Sequence, residues 1–287
     1  MKKRKSEDEK VRSIAEHYNK IPSLKREERH KSKIINIRNM NNFIKSLLIK
    51  TYTHQNFTVL DLGCGKGGDL NKYKIAKISK YIGIDIAEKS IEEAKSRYKQ
   101  GNYDFECEFD CLDAYNTFID KKWKCDIVSS QFSFHYAFSS IESLKIAVKN
   151  VALQLKPGGH FILTIPDAKT IIRRYKKYGN DYGNEYHKIH FLKEEFNEKE
   201  CGIEYEFRLE EAVDNCVEYI ADLDLLISEC SKQEMFLVET KTFLEYFNVS
   251  VKKDLALYNK LVPERLKNEE LKVIELYRIV VFKKNNK

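Results

Sequence analysis

Four glycines, at positions 63, 65, 67 and 68, directly follow the apolar run Thr58-Val-Leu-Asp-Leu62. Glycine accepts positive φ and has no Cβ, so the chain can turn sharply and a ligand can approach the main chain closely. About twenty residues later, a second apolar run ends in Asp85, at the spacing of a carboxylate that accepts hydrogen bonds from ribose hydroxyls. These patterns predict a nucleoside-binding turn between a strand and a helix.

Carboxylates around this turn help to choose the nucleoside cofactor. Asp61 precedes the first glycine and Asp69 follows the last one. A dinucleotide places its pyrophosphate at the helix N-terminus, where a carboxylate is unfavourable. S-adenosylmethionine has no phosphate and carries a sulfonium and an ammonium. Charge therefore favours methyl transfer over hydride transfer.

Alternating strands and helices must position this turn. Apolar spacing predicts a helix over 34–49 before the first strand. Ser90-Ile-Glu-Glu93 matches a capping box in a helix that runs towards Tyr98, and a start at 85–88 is the alternative for this helix. Five strands are predicted, at 58–62, 81–85, 103–109, 124–129 and 160–165. Such alternation implies right-handed crossovers and a parallel sheet that binds ligands at the carboxyl ends of its strands.

The C-terminal part differs in composition. Residues 173–191 are rich in tyrosine, glycine, asparagine and lysine, which is typical of a loop or small lobe. A strand at 202–209, a helix around 223–230 and a final strand at 276–282 follow. The final strand is expected to be an antiparallel edge of a mixed sheet.

Composition limits the class of protein. The 287 residues suffice for one large domain or for a domain with an insertion, and no run approaches the roughly 18 apolar residues of a membrane span. Because no apolar segment follows the charged N-terminus, we expect a soluble intracellular protein. Seven scattered cysteines lack paired spacing, so we expect reduced thiols and no metal site.

The charge pattern leaves two interpretations open. A net charge of +7 suits a polyanionic partner, but alternating lysine and glutamate is also typical of solvated helix faces. The basic cluster Met1-Lys-Lys-Arg-Lys5 is interpreted as a nuclear import signal, a nucleic-acid arm or part of a disordered tail. Residues 1–33 are predicted to form this basic, partly disordered tail.

A polar and aromatic segment, Ser130-Gln-Phe-Ser-Phe-His-Tyr136, follows the fourth strand at the expected ligand edge. Together with Asn41-Asn42-Phe-Ile-Lys45, Leu60-Asp-Leu-Gly-Cys-Gly-Lys-Gly-Gly-Asp69 and Asp85-Ile-Ala-Glu-Lys-Ser-Ile91, it resembles the eukaryotic mRNA cap guanine-N7 methyltransferases. Leu155-Lys-Pro-Gly-Gly159, Tyr205-Glu-Phe207, Glu218-Tyr219 and Glu275-Leu-Tyr277 fit the same family. The resemblance spans about residues 34 to 283.

The resemblance implies a fold and a cofactor. The fold is the α/β, Rossmann-like class I methyltransferase fold: a mostly parallel seven-stranded sheet with an antiparallel edge strand, an N-terminal helical extension and a small inserted lobe. Residues 34–287 would form the methyltransferase domain, with a cap-binding lobe at about 173–220. By similarity, S-adenosylmethionine would be held by or lie near Lys45, Asp61, Gly63, Asp69, Asp85, Asp113, Gln131 and Tyr136. Asp85 would bind the ribose and Asp113 the adenine amine.

The resemblance also implies a cap site. Its residues would be Asn41, Asn42, Lys66, Lys72, Arg97, Tyr115, Phe132, His135, Tyr205, Phe207, Glu218 and Tyr277. Lys66, Lys72 and Arg97 are candidate phosphate ligands, and Glu218 would accept hydrogen bonds from the Watson-Crick edge of guanine. Guanine N7 has no proton to remove, so no residue is expected to act as acid or base. His135, Glu218 and Tyr277 would orient the base.

Other functions remain possible from the residues alone. They are a methyltransferase for a small molecule or another RNA position, a non-catalytic RNA-binding module, and a nicotinamide oxidoreductase. The resemblance implies capped mRNA as partner, together with RNA guanylyltransferase or the transcription machinery, in the nucleus. We further expect a monomer with no membrane association.

Overall fold

The chain forms a central seven-stranded sheet in a computed structural model, which describes residues 7–20, 31–198, 200–262 and 264–286. Its strands are β1 (Thr58–Leu62), β2 (Lys80–Asp85), β3 (Glu106–Cys111), β4 (Cys125–Gln131), β5 (Leu155–Pro166), β10 (Met235–Thr242) and β11 (Tyr277–Lys284). Their order across the sheet is β10-β11-β5-β4-β1-β2-β3. Strands β1 to β5 pair in parallel, which confirms the predicted mostly parallel sheet.

The final strand is antiparallel, as predicted, and lies next to the edge strand β10 of the sheet. β11 pairs antiparallel with β5 and also with β10, which covers its outer side. The sequence pattern did not single out β10. Phe236, Leu237 and Val238 are consecutive exposed apolar residues there, so β10 lacks the apolar and polar alternation that marks a half-buried strand.

Helices cover both faces of this sheet. Their bounds are α1 (Glu7–Lys20), α2 (Ile35–Tyr52), α3 (Leu70–Ile75), α4 (Glu88–Gln100), α5 (Ile141–Gln154), α6 (Ala168–Tyr178), α7 (Leu223–Ser231), α8 (Phe243–Ser250), α9 (Leu255–Leu261) and α10 (Asn268–Ile274). The predicted helix before the first strand is confirmed as α2, which buries Ile37, Phe43 and Ile44. No described helix is long and apolar enough to cross a membrane.

Two details at helix starts differ from the prediction. The alternative start at 85–88 is confirmed and the capping box at Ser90 is wrong: α4 begins at Glu88 after Ala87, which makes no side-chain cap, and Ser90 is buried. Within the expected tail at 1–33, residues 7–20 form α1. Ile14 and Tyr18 have the i, i+4 spacing of one helix face, a signal that the polar composition obscured. The basic cluster at 1–5 lies outside the described residues.

A second sheet forms the lobe. It contains β6 (Asp181–Gly183), β7 (His187–Phe191), β8 (Glu204–Leu209) and β9 (Val213–Tyr219), all antiparallel in the order of the chain. Alternation buries Tyr205, Phe207 and Leu209 on one face of β8. The lobe sheet therefore presents aromatic side chains from one face, while residues 173–178 of the predicted lobe belong to α6.

Candidate functional site

A cavity of about 310 Å³ lies where the carboxyl ends of β1, β2 and β4 meet the lobe. Its walls come from the glycine turn, the segment after β4, strands β8 and β9, the start of β11, and α1. The predicted residues that line it are Asn41, Gly63, Asp85, Asp113, Tyr115, Gln131, Phe132, His135, Tyr136, Phe207, Glu218 and Tyr277. Residues predicted from distant parts of the chain thus share one cavity.

The backbone conformation and packing at position 63 require glycine. Its backbone has φ +71°, and its N–H donates to the Ile84 carbonyl at 2.8 Å. A Cβ on Gly63 would lie 2.3 Å from Ser133 Oγ, which itself donates to the Leu62 carbonyl at 2.9 Å. Glycine is therefore needed for the backbone conformation and for the close packing of the turn against Ser133.

Two carboxylates at the next strand ends are fixed by backbone amides. Asp85 Oδ2 accepts from the Gly65 N–H at 2.8 Å, and Oδ1 accepts from the Ala87 N–H at 2.9 Å. Burial raises the pKa of Asp85, although these amide hydrogen bonds partly offset the rise. Asp113 Oδ1 accepts from the Tyr115 and Asn116 amides at 3.0 and 3.1 Å. Each carboxylate is held in a defined orientation in the cavity wall.

A buried charge cluster lies beside the cavity and does not line it. Asp69 Oδ1 lies 2.8 Å from Lys45 Nζ and 2.7 Å from Lys72 Nζ. Burial alone would raise the pKa of Asp69, but the two lysines together outweigh it and hold that pKa low. Burial lowers the pKa of Lys72, and the neighbouring Asp69 carboxylate partly offsets this decrease. Asp69 thus anchors two cations rather than facing a ligand itself.

Asp61 also lies behind the cavity wall. Its carboxylate is 2% exposed and accepts a hydrogen bond from the Tyr81 hydroxyl at 2.8 Å. Burial, together with the nearby charge of Asp69, raises the pKa of Asp61. This position suits a supporting role under the glycine turn.

Aromatic side chains form one end of the cavity. Phe132 has φ +62°, and its N–H donates to the carbonyl and hydroxyl oxygens of Thr164, both at 3.0 Å. Its ring packs edge-on against Tyr277 at 5.0 Å and Phe243 at 5.8 Å between centroids. A bulky residue at positive φ is strained, and such strain concentrates at functional sites.

A buried polar group faces these aromatic rings. Glu218 Oε2 accepts from the Tyr205 hydroxyl at 2.8 Å, while Oε1 lies 3.6 Å from His135 Nε2. Glu218 is 5% and His135 2% exposed. Neither ring nitrogen of His135, nor Oε1 of Gln131, has a hydrogen-bond partner among the described residues. Buried polar atoms normally have partners, so these atoms indicate a polar ligand.

The remaining predicted residues do not line the cavity. They are Asn42, Lys45, Asp61, Lys66, Asp69, Lys72, Arg97 and Tyr205. Lys72 Nζ donates to Asn42 Oδ1 at 3.2 Å, and Lys66 Nζ pairs with Glu93 at 2.8 Å. Arg97 lies in the last turn of α4. The described residues contain no group of His, Cys, Asp or Glu side chains suited to a metal ion.

The residues predicted from the sequence do not include one wall of the cavity, which α1 forms. Ile14 and Tyr18 of α1 line it, and the Tyr18 and Tyr136 hydroxyl oxygens lie 2.9 Å apart. Asn19 Oδ1 accepts from the Lys89 N–H at 3.1 Å, which fastens α1 to the first turn of α4. The first helix thus covers the cavity beside the residues predicted to hold the cofactor.

Tyr18→Phe is expected to weaken S-adenosylmethionine binding about two- to tenfold, because a neutral hydrogen bond contributes about 0.5–1.5 kcal/mol. The substitution removes the hydroxyl that fixes Tyr136 and keeps the ring in the wall. Calorimetric titration measures the Kd. Tyr258→Phe, outside the cavity, serves as the control. Equal Kd values for both variants and the unchanged protein would contradict a positioning role for Tyr18.

The sheet order, the glycine turn after β1 and the carboxylate at the end of β2 define a class I S-adenosylmethionine-dependent methyltransferase. Solved structures share this fold. The CcbJ methyltransferase from Streptomyces caelestis matches with a TM-score of 0.57 over 95% of this chain and 96% of that chain, at 12% identity. An S-adenosylmethionine-dependent methyltransferase from Mesorhizobium loti matches with a TM-score of 0.54 over 84% and 96%, at 14% identity.

Sequence comparison identifies the family within this class. The model of the mRNA (guanine-N(7))-methyltransferase domain matches residues 1–285. An mRNA cap guanine-N(7) methyltransferase of Candida glabrata is 37% identical over 94% of this chain and 72% of its own length. A rice protein named mRNA cap guanine-N(7) methyltransferase 1 is 38% identical over 85% and 70%. The chain belongs to the mRNA cap guanine-N7 methyltransferase family.

Proposed function

We propose that this protein transfers a methyl group from S-adenosylmethionine to N7 of the terminal guanosine of GpppN-capped RNA, by direct in-line displacement. Family membership supports the activity. The observation that carries the proposal for this chain is a single cavity that joins Gly63 and Asp85 to Glu218 and Tyr277. A cofactor and a base can therefore lie side by side within it.

The cofactor end of the cavity fits S-adenosylmethionine. Gly63 and Gly65 bring bare backbone to the cavity wall, and Asp85 offers fixed carboxylate oxygens to ribose hydroxyls. Gln131 Oε1, which has no partner among the described residues, suits an ammonium donor. Asp113 would bind the adenine amine, and Lys45 would meet the methionine carboxylate from the cavity's edge. When bound, S-adenosylmethionine supplies a methyl group activated by its sulfonium.

The other end of the cavity fits guanine. The Glu218 carboxylate can accept from the two donors on the Watson-Crick edge, and a bidentate contact of this kind contributes about 1–3 kcal/mol of discrimination between bases. Adenine does not offer that pair of donors. Phe132 and Tyr277 provide aromatic surface against which the base can pack, and stacking contributes about 1–3 kcal/mol per base. Lys66, Lys72 and Arg97, which do not line the cavity, would bind the triphosphate bridge.

This arrangement performs the reaction by orientation. Guanine N7 carries a free lone pair, so the protein has no proton to remove. His135 and Glu218 hold the base edge, the aromatic rings limit its tilt, and the glycine turn positions the cofactor. Alignment of nucleophile, methyl group and leaving sulfur is then the source of the rate increase. No metal is assigned a role.

The test incubates the protein with methyl-labelled S-adenosylmethionine and RNA capped with GpppA or with ApppA. We expect label in the GpppA-capped RNA, with 7-methylguanosine released by nuclease digestion, and none in the ApppA-capped RNA. Label in both RNAs, or a different methylated nucleoside, would assign another RNA position. Incorporation into neither RNA would exclude the activity.

We also propose a nuclear location and a monomeric state, with RNA guanylyltransferase or the transcription machinery as associated partners. The support for the location is the family's substrate together with the basic cluster at 1–5. Microscopy of the protein with that cluster replaced by serines tests the import signal. Light scattering tests the monomer.

A further inference from the structure

A second cavity, of about 1020 Å³, lies between α6, α10 and the lobe strands β6 to β8. We call it the outer groove. Its lining cations are Arg173, Arg174, Lys177, Lys188, Arg208 and Lys272, and its lining carboxylates are Asp181, Glu185, Glu210 and Glu275. Cations outnumber carboxylates in this lining, and none of these residues is used by the proposed cap site.

The excess positive charge of the outer groove is concentrated on α6. The lining carboxylates of Asp181, Glu210 and Glu275 each pair with a lysine or arginine of the groove, and Glu185 pairs with Lys33 outside it. Arg173 and Lys177 are exposed and form no ion pair among the described residues. Their i, i+4 spacing places them on the same side of the helix, where both can contact one polyanion.

The outer groove is preformed and carries an exposed aromatic ring. Arg174 Nη1 donates to the Lys272 carbonyl at 2.8 Å, and Asn184 Nδ2 donates to the Glu269 carbonyl at 2.8 Å. These hydrogen bonds join α6 and the lobe to α10. Tyr178 is 57% exposed beside Lys177, whose Nζ lies 4.9 Å from the ring centroid. Proteins that bind single-stranded nucleic acids commonly combine a cation with an exposed aromatic surface in this way.

The outer groove and the first cavity share structural elements. Phe207 and Leu209 of β8 line the cavity, while Arg208 between them lines the groove, so the two sites lie on opposite faces of one strand. Glu275, just before β11, lines the groove, and Tyr277, the first residue of β11, lines the cavity. Their Cα atoms are at most about 7 Å apart along the chain.

We propose that the outer groove binds phosphates of the RNA chain that follows the cap, with Arg173 and Lys177 as the main contacts. This inference rests on the proposed function, because the cap held in the first cavity brings the next nucleotides to the lobe at high effective concentration. An acidic protein segment would satisfy the same cations. RNA is favoured because the groove adjoins the proposed cap site and because Tyr178 offers a stacking surface.

The test compares the cap dinucleotide GpppA with a short GpppA-capped oligoribonucleotide as methyl acceptors. We expect the oligonucleotide to have the lower KM with the unchanged protein. In Arg173→Ala/Lys177→Ala, the KM for the oligonucleotide should rise about tenfold, and the slope of log affinity against log salt should fall by about 1.4 for two lost phosphate contacts. The KM for GpppA should not change.

The control variant is Lys252→Ala/Lys253→Ala, which removes the same charge from two exposed residues outside the groove. With this control variant, the KM should remain lower for the oligonucleotide than for GpppA. The inference would be overturned if the KM of the Arg173/Lys177 variant for the oligonucleotide stayed as far below its KM for GpppA as in the unchanged protein. It would also be overturned if that variant lost binding to polyglutamate, an acidic peptide, but still bound RNA as before. If the unchanged protein methylates neither acceptor, the proposed function itself fails, which is a different result.

Discussion

Asp69→Asn is expected to destabilise the folded protein by about 3–5 kcal/mol, the usual cost of removing one partner from a buried ion pair. Asp69 lies within 2.8 Å of both Lys45 and Lys72, and the three side chains are only 8–15% exposed. Asparagine keeps the shape but leaves two buried ammonium groups without a carboxylate. Urea denaturation followed by circular dichroism measures the change in free energy of unfolding.

Asp254→Asn is the matched control for this experiment. Asp254 pairs with Lys50 at 2.7 Å, but the lysine side chain is 65% exposed. Exposed pairs contribute about 0–1 kcal/mol, and asparagine still caps α9 through the Leu257 N–H. A loss at Asp69 no larger than the loss at Asp254 would show that the buried cluster does not stabilise the fold.

The Asp69→Asn variant should also bind S-adenosylmethionine and cap analogues more weakly. The reason is that Asp69 orients Lys45, which is proposed to meet the cofactor, and Lys72, which is proposed to meet the cap phosphates. Titration of each ligand at urea concentrations below the unfolding transition separates weaker binding from unfolding. If both ligands bind the folded variant with unchanged Kd, Asp69 has only a structural role.

Glu218→Gln is expected to lower kcat/KM for capped RNA about 5- to 150-fold, which corresponds to about 1–3 kcal/mol of base recognition. The substitution puts an amide donor against the donors of guanine, and it weakens the acceptor of the Tyr205 hydroxyl. The Kd for S-adenosylmethionine should change less than about twofold, because the proposed cofactor contacts lie at the other end of the cavity.

Glu206→Gln is the control for Glu218, since Glu206 lies on β8 but not in the cavity lining. Steady-state kinetics with GpppA-capped RNA and titration of S-adenosylmethionine provide the two measurements. Equal losses in cofactor affinity and in kcat/KM at Glu218 would contradict its assignment to guanine.

Local patterns predicted the glycine turn and the carboxylate that line one end of the cavity. The turn between β1 and α3 and the carboxylate at the end of β2 depend on positive φ, strand alternation and spacing, which are properties of neighbouring residues. The pairing of β1 to β5 also followed from the alternation of strands and helices. Strand β10 and helix α1 were not recognised, because exposed apolar residues and a highly charged composition mask their patterns.

The sequence by itself determined the nucleoside-binding turn, the mostly parallel sheet and, through its motifs, the family. Tertiary structure alone decided which distant side chains share the cavity. It placed Tyr18 in the wall, Glu218 beside His135, and Asp69 behind the wall as an anchor for two lysines. The physical reason is that local conformation depends on nearby residues, whereas these contacts depend on how the lobe and α1 pack on the sheet edge.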